Sequence, residues 1–237
     1  MSRIYGLVLL FCLLLPLPLS AAQDAQLNGV ATALGLYYPN IPLKEVHPTP
    51  IEGVYEIITR KDEVIYFAPR TGNLLVGELW DSSGRNLTRE TQDRLMSEKA
   101  SLFPLDKAIK IGSGPNQVIE VSDPDCPFCR EGSAFFAGRQ DVTRYIFLYP
   151  LSKIHPQAEA KARYILSAPD PAEAYEEVFS GAFDKKPLPA FKDNGLLDEQ
   201  HKILQEVGIH STPQYWINGH HVSGTNQPQF EQLLDRK

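Results

Sequence analysis

The stretch Val118-Ile119-Glu120-Val121-Ser122-Asp123-Pro124-Asp125-Cys126-Pro127-Phe128-Cys129-Arg130 constrains the chain more than any other. Val118 to Val121 has strand character, the Asp-Pro-Asp run reads as a polar turn, and the segment from Arg130 to about Arg139 reads as a helix. Cys126 then stands at the first turn of that helix and Cys129 one turn further in. A helix N-terminus offers free N–H groups and the positive end of the dipole, which favour a thiolate on Cys126. The spacing lets Cys129 reach the same sulfur and close a small ring. A pair that opens and closes in this way exchanges disulfides with other proteins.

The same motif can be half of a zinc site or an inert disulfide. Zinc wants four ligands, and the chain has no second CxxC and no matching His-x3-5-His pair; His220 and His221 are adjacent. The expectation is therefore a redox pair with no metal and no cofactor. A net charge of -6 argues against nucleic acid and against an acidic membrane surface.

Residues 1–22 read as a secretory signal. Arg3 supplies the positive start, Ile4 to Leu19 is almost wholly apolar, and Ser20-Ala21-Ala22 resembles a cleavage site with the cut before Gln23. Cleavage would remove Cys12 and leave Cys126 and Cys129 as the whole cysteine content of an exported protein. Oxidising compartments use cysteines as staples. With no others to pair, this pair is free to act as a reagent.

The length of 237 residues suits one large or two small domains. Residues 23–85 begin with a short helix, Gln23 to Leu36, with Leu27, Val30, Ala31 and Leu34 at helical spacing. Pro39, Pro42, Pro48 and Pro50 predict an irregular connection. Strands are expected at 53–58, 63–67 and 74–80. So small a unit buries little and leaves strand edges open, which a second copy would cover. Residues 86–111 read as a linker containing a helix. Residues 112–237 give the central strand, the CxxC helix, a strand from Val142 to Leu148, and helices at 155–167, 171–180 and 196–207. A hairpin around Asn218-Gly219 and a terminal helix at 229–234 follow. Tyr145, Phe147 and Tyr149 read as core, and Phe135-Phe136 as the anchor of the CxxC helix. His155 and His210 read as surface or capping residues.

This order is that of a thioredoxin fold, and Ser211-Thr212-Pro213 before the hairpin matches that fold's cis-proline motif. The mature chain resembles the DsbC/DsbG family of periplasmic thiol:disulfide isomerases. The resemblance rests on Pro50-Ile51-Glu52-Gly53-Val54-Tyr55-Glu56 and Asp123-Pro124-Asp125-Cys126-Pro127-Phe128-Cys129. Gly208 to Pro213 and Gly224-Thr225-Asn226-Gln227-Pro228 also carry it.

The resemblance implies an α+β protein with a cystatin-like N-terminal dimerisation domain, a linker helix, and a thioredoxin domain with a helical insertion. It implies a periplasmic homodimer that acts on misfolded disulfide-containing exported proteins and is kept reduced by a DsbD-like membrane reductase. Cys126 and Cys129 would be catalytic, with Pro127, Phe128, Thr212 and Pro213 touching substrate. Glu120 lies six residues before Cys126, where thioredoxins and the oxidase DsbA carry a buried acid. It is a candidate acceptor for the Cys129 proton, against the alternative of an exposed strand residue. Two other functions stay open at this point: a DsbA-like thiol oxidase, and a dimeric chaperone with secondary redox activity.

Overall fold

The computed structural model describes residues 19–235. Most of the expected signal segment, with Cys12, lies outside the described residues. The chain divides into two compact units between Thr88 and Arg89.

In the first unit, α1 (Leu19–Tyr37) packs over an antiparallel sheet. Its strands run in the order β1 (Leu43–Pro48), β2 (Tyr55–Thr59), β3 (Val64–Ala68) and β4 (Asn73–Leu75). Val30 and Leu34 of α1 meet Tyr55, Ile57 and Phe67 in the core. The sequence reading missed β1 because of its prolines. The strand tolerates them because it is an edge strand that pairs only with β2, and Pro48 is its last residue. The expected third strand is cut to three residues, and the chain from Leu75 to Trp80 is mostly exposed.

The second unit opens with most of α2 (Leu87–Glu98), the expected linker helix. Trp216 donates its ring N–H to the Met96 carbonyl at 2.6 Å, and the His221 amide donates to the Ser97 hydroxyl at 3.0 Å. The main sheet has the order β5-β7-β6-β8-β9. Its strands are β5 (Ile109–Gly112), β6 (Asn116–Ser122), β7 (Val142–Leu148), β8 (Gln214–Ile217) and β9 (His220–Ser223). Only β6 and β7 are parallel, joined through α3 (Pro127–Phe136); every other pair is antiparallel. Sequence reading left β5 inside an extended lead-in. Asn218 (φ 50°) and Gly219 (φ 84°) form the hairpin turn, both left-handed as a two-residue turn demands.

Strand alternation sorts the core. Ile119, Val121, Phe147 and Trp216 face Phe103 and the helix α6 (Leu196–Val207). Val118, Tyr215 and Ile217 face the other way, toward Phe136 of α3 and Phe230 of α7 (Gln227–Leu234). Phe136 stacks on Phe230, so Phe136 anchors the helix as expected. The insertion helices α4 (Ala158–Ser167) and α5 (Pro171–Phe179) cover Ile146, Leu148 and the two cysteines.

Close approach of α3 to the sheet depends on Gly132. A Cβ there would overlap the hydroxyl oxygen of Tyr215, a fully buried side chain with little room to retreat. Gly132→Ala gains up to ~1 kcal/mol of helix propensity but overpacks the core, which costs ~1–3 kcal/mol. A net loss of stability is expected, read as a lower Tm in thermal melts of the reduced protein.

Candidate active site

The strand-turn-helix reading holds in three dimensions. β6 ends at Ser122, the turn follows, and α3 starts at Pro127 with Cys126 as its N-cap. Proline suits this first helical position because its missing N–H would have had no partner in the helix. Both thiols are free. Cys126 is 5% exposed and Cys129 0%, so the first sulfur is more accessible, though less so than a bare helix end implies.

The two thiols are held in opposite states. The Cys126 pKa falls to about 6, chiefly because Cys129 hydrogen-bonds its sulfur, with further bonds from the Cys129 and Phe128 amides. Pro127 contributes no N–H, so the next two amides carry that work. Burial pushes the Cys129 thiol up, and its bond to the Cys126 sulfur adds to the rise; the Asp123 amide pulls back. One sulfur is therefore a ready thiolate and the other a protonated thiol beside it.

The Thr212–Pro213 bond is cis, and the Pro213 carbonyl accepts from the Gly224 amide at 3.0 Å. Phe128 is 62% exposed beside Cys126, and Pro127 is exposed as well. The Thr225 hydroxyl donates to the Phe128 carbonyl at 2.6 Å, tying the loop before α7 to the first turn of α3.

Glu120 is fully buried on the face of β6 that carries α3. Its two oxygens are already engaged. Arg144 Nη2 donates to one at 2.8 Å and the Tyr175 hydroxyl to the other at 2.8 Å. It makes no bond to either sulfur. Burial pushes the Tyr175 phenol well above its ordinary value, so it stays a neutral donor. The alternative of an exposed strand residue is excluded: Glu120 is buried, and Arg144 from β7 and Tyr175 from α5 meet it there.

Several residues of the site were passed over in the sequence. Asp123 is buried at the end of the turn; its amide donates to Cys129 Sγ at 3.3 Å and its carbonyl accepts from the Cys126 amide at 3.2 Å. His155, read as a surface or capping residue, lies 2.9 Å from the Asp123 carboxylate through Nδ1. Arg130 forks onto Asp184 at 2.6 and 2.7 Å, and the buried Lys161 bonds both Asp125 and Asp184. The charged spacing of 123, 125 and 130 around the cysteines was a visible signal. Their partners at 155, 161 and 184 carried none.

Comparison with known proteins gives this geometry a family. Residues 19–89 match the disulfide bond isomerase protein N-terminal domain, and residues 104–237 match a thioredoxin-like domain. The probable thiol:disulfide interchange protein DsbC of Bordetella avium is 31% identical over 194 residues, 80% of this chain and 67% of that protein. The chain belongs to the DsbC family of thiol:disulfide interchange proteins. The thiol:disulfide interchange protein DsbG of Pseudomonas aeruginosa is 25% identical over 207 residues, 79% of each. A crystal structure of a disulfide interchange protein from Neisseria gonorrhoeae aligns at 34% identity with a TM-score of 0.49. It covers 56% of this chain and 96% of that one.

The electrostatics of this DsbC-family site can be read directly. Absorbance of the thiolate in the reduced protein should titrate with a midpoint near the Cys126 value of about 6. Cys129→Ala removes the largest stabilising bond, so the midpoint should move up toward that of an ordinary thiol. An unmoved midpoint would place the source of the low value elsewhere.

Proposed function

We infer that the protein is a protein disulfide isomerase whose nucleophile is Cys126. The observation that carries this reading is the opposed state of the two thiols. The Cys126 thiolate attacks a disulfide in a client protein; one client sulfur joins Cys126 and the other leaves as a thiolate. If a different thiolate of the client then attacks the client sulfur bonded to Cys126, a new client disulfide forms, Cys126 leaves as the thiolate, and the client has been isomerised. If Cys129 gives up its proton and attacks Cys126, the client leaves reduced and the Cys126–Cys129 disulfide remains. Two electrons from a membrane reductase of DsbD type would then restore the pair.

Thr212 and Pro213, with Pro127 and Phe128, are proposed as the client surface. Thr212 offers backbone to an extended client segment in the manner of strand addition, and the exposed Phe128 offers an apolar contact. Glu120 is proposed to position α3 and α5 through Arg144 and Tyr175. The proposed clients are exported proteins with wrong disulfides, met in the periplasm after the segment 1–22 has directed export.

The oxidase alternative is disfavoured by the N-terminal unit, whose family match is an isomerase domain. Two copies are proposed to join through that unit. Leu75, Val76 and Trp80 are 51%, 85% and 56% exposed at and beyond the edge strand β4, an open edge that a partner strand would cover.

Cys126→Ala is expected to abolish rescue of scrambled ribonuclease, whereas Cys129→Ala should accumulate mixed disulfides with clients on non-reducing gels. Faster alkylation of Cys129 than of Cys126 in the reduced protein would reverse the assigned roles.

Light scattering should give a dimer for residues 23–237. A chain starting near Arg89, which keeps the Met96 and Ser97 bonds to the sheet, should be monomeric with its redox pair intact. A dimeric truncated chain would remove the first unit from the interface.

A further inference from the structure

The buried carboxylate of Asp123 is the charged group most directly wired to both cysteines, and among the described residues one titratable side chain bonds it. One Asp123 oxygen accepts from the Asp125 amide at 2.8 Å. The other accepts from the Leu151 amide at 2.7 Å and meets His155 Nδ1 at 2.9 Å. Through its own backbone the same residue bonds the Cys126 amide and Cys129 Sγ. The Asp123 side chain is 0% exposed and that of His155 19%, so His155 is the link between this buried charge and solvent.

We propose that His155 is a positioning residue for thiol exchange: its Nδ1 bond fixes the Asp123 turn, and the charge its ring carries when protonated offsets the repulsion between the Asp123 carboxylate and a thiolate on Cys126. This rests on the reading of Cys126 as nucleophile. Asp123 is among the groups that act on that thiol, opposing the lowering bonds from Cys129 and the amides. A buried carboxylate near a forming thiolate disfavours it through like charge in a poorly screened place. A cation bonded to the carboxylate removes that penalty without touching either sulfur.

The other charges near His155 do not supply the same offset. It lines a cleft of ≈ 450 Å³ with Asp125, Arg130, Lys161 and Asp184. Those four groups are two cations and two carboxylates, bonded to one another. Their charges cancel locally. Arg130 feels the Asp123 charge as well, but none of those four side chains bonds Asp123, whereas His155 meets its carboxylate directly.

The test measures the rate of Cys126 alkylation by iodoacetamide at pH 6 in the reduced full chain. Thiolate absorbance and Tm are recorded alongside. His155→Asn places an amide nitrogen where Nδ1 stands, keeping the bond and removing the charge. It should slow alkylation about twofold, the loss of thiolate at pH 6 when a pKa of about 6 rises by half a unit. His155→Lys restores a charge and should keep the wild-type rate. Asp123→Asn removes the repelling charge and should accelerate alkylation, and in that background His155→Asn should add nothing.

A purely structural pair would move both single variants in the same direction. That result, or an unchanged rate in His155→Asn, overturns the proposal. If Asp123→Asn does not fold, His155→Asn against His155→Lys decides alone. A wild-type chain with no thiolate at neutral pH would overturn the catalytic reading itself and this one with it. A normally titrating wild type beside an unmoved His155→Asn overturns the role of His155 only.

Discussion

One buried guanidinium holds the catalytic unit together. Arg144 is almost fully enclosed on β7, next to the central strand β6, where an unpaired charge is not tolerable. It meets Glu120 on β6 and Ser133 on α3, and lies over the rings of Phe136 and Tyr175. Two strands, the active-site helix and the insertion helix α5 thus share one cation. Breaking such a pair by removing one partner typically costs ~3–5 kcal/mol, because the other charge is left buried and alone. The acid below the CxxC helix is therefore part of the frame that fixes where the helix lies.

On that frame the chemistry comes from asymmetry. The helix start aims two amides at the Cys126 sulfur, while burial keeps the proton on Cys129. The neutral thiol then donates to the thiolate, so each state stabilises the other. A client that takes Cys126 into a mixed disulfide removes that acceptor. Cys129 loses its partner at the moment when its own ionisation is needed for release. Tight coupling of the two sulfurs thus links client capture to client release.

The helical insertion also belongs to the site. Arg130 of α3 forks onto Asp184 beyond α5, Lys161 of α4 bridges Asp125 and Asp184, and His155 before α4 bonds Asp123. Every charged residue flanking the cysteines between 123 and 130 is answered from the insertion. These bonds hold the turn in which a nucleophile must sit still, and they leave Phe128 outside the network and free for contact.

The local signals in the chain were strong where geometry is local. Hydrophobic alternation placed β6 and β7, Asn218-Gly219 placed the hairpin, and the CxxC placed the two thiols at a strand-helix junction, because each depends on neighbours a few residues away. β1 and β5 were missed because edge strands carry prolines or short irregular patterns and exist only by pairing. Glu120 was singled out by its spacing from Cys126, and it is buried. Its partners at 144 and 175 could not be, since residue type does not reveal which distant side chains share a pocket. His155 read as surface because nothing around it in sequence announces Asp123. The reagent and its position were determined by the sequence. The charges that surround the reagent were decided by the tertiary structure, because electrostatic partners are chosen by distance in space and burial, and neither follows from distance along the chain.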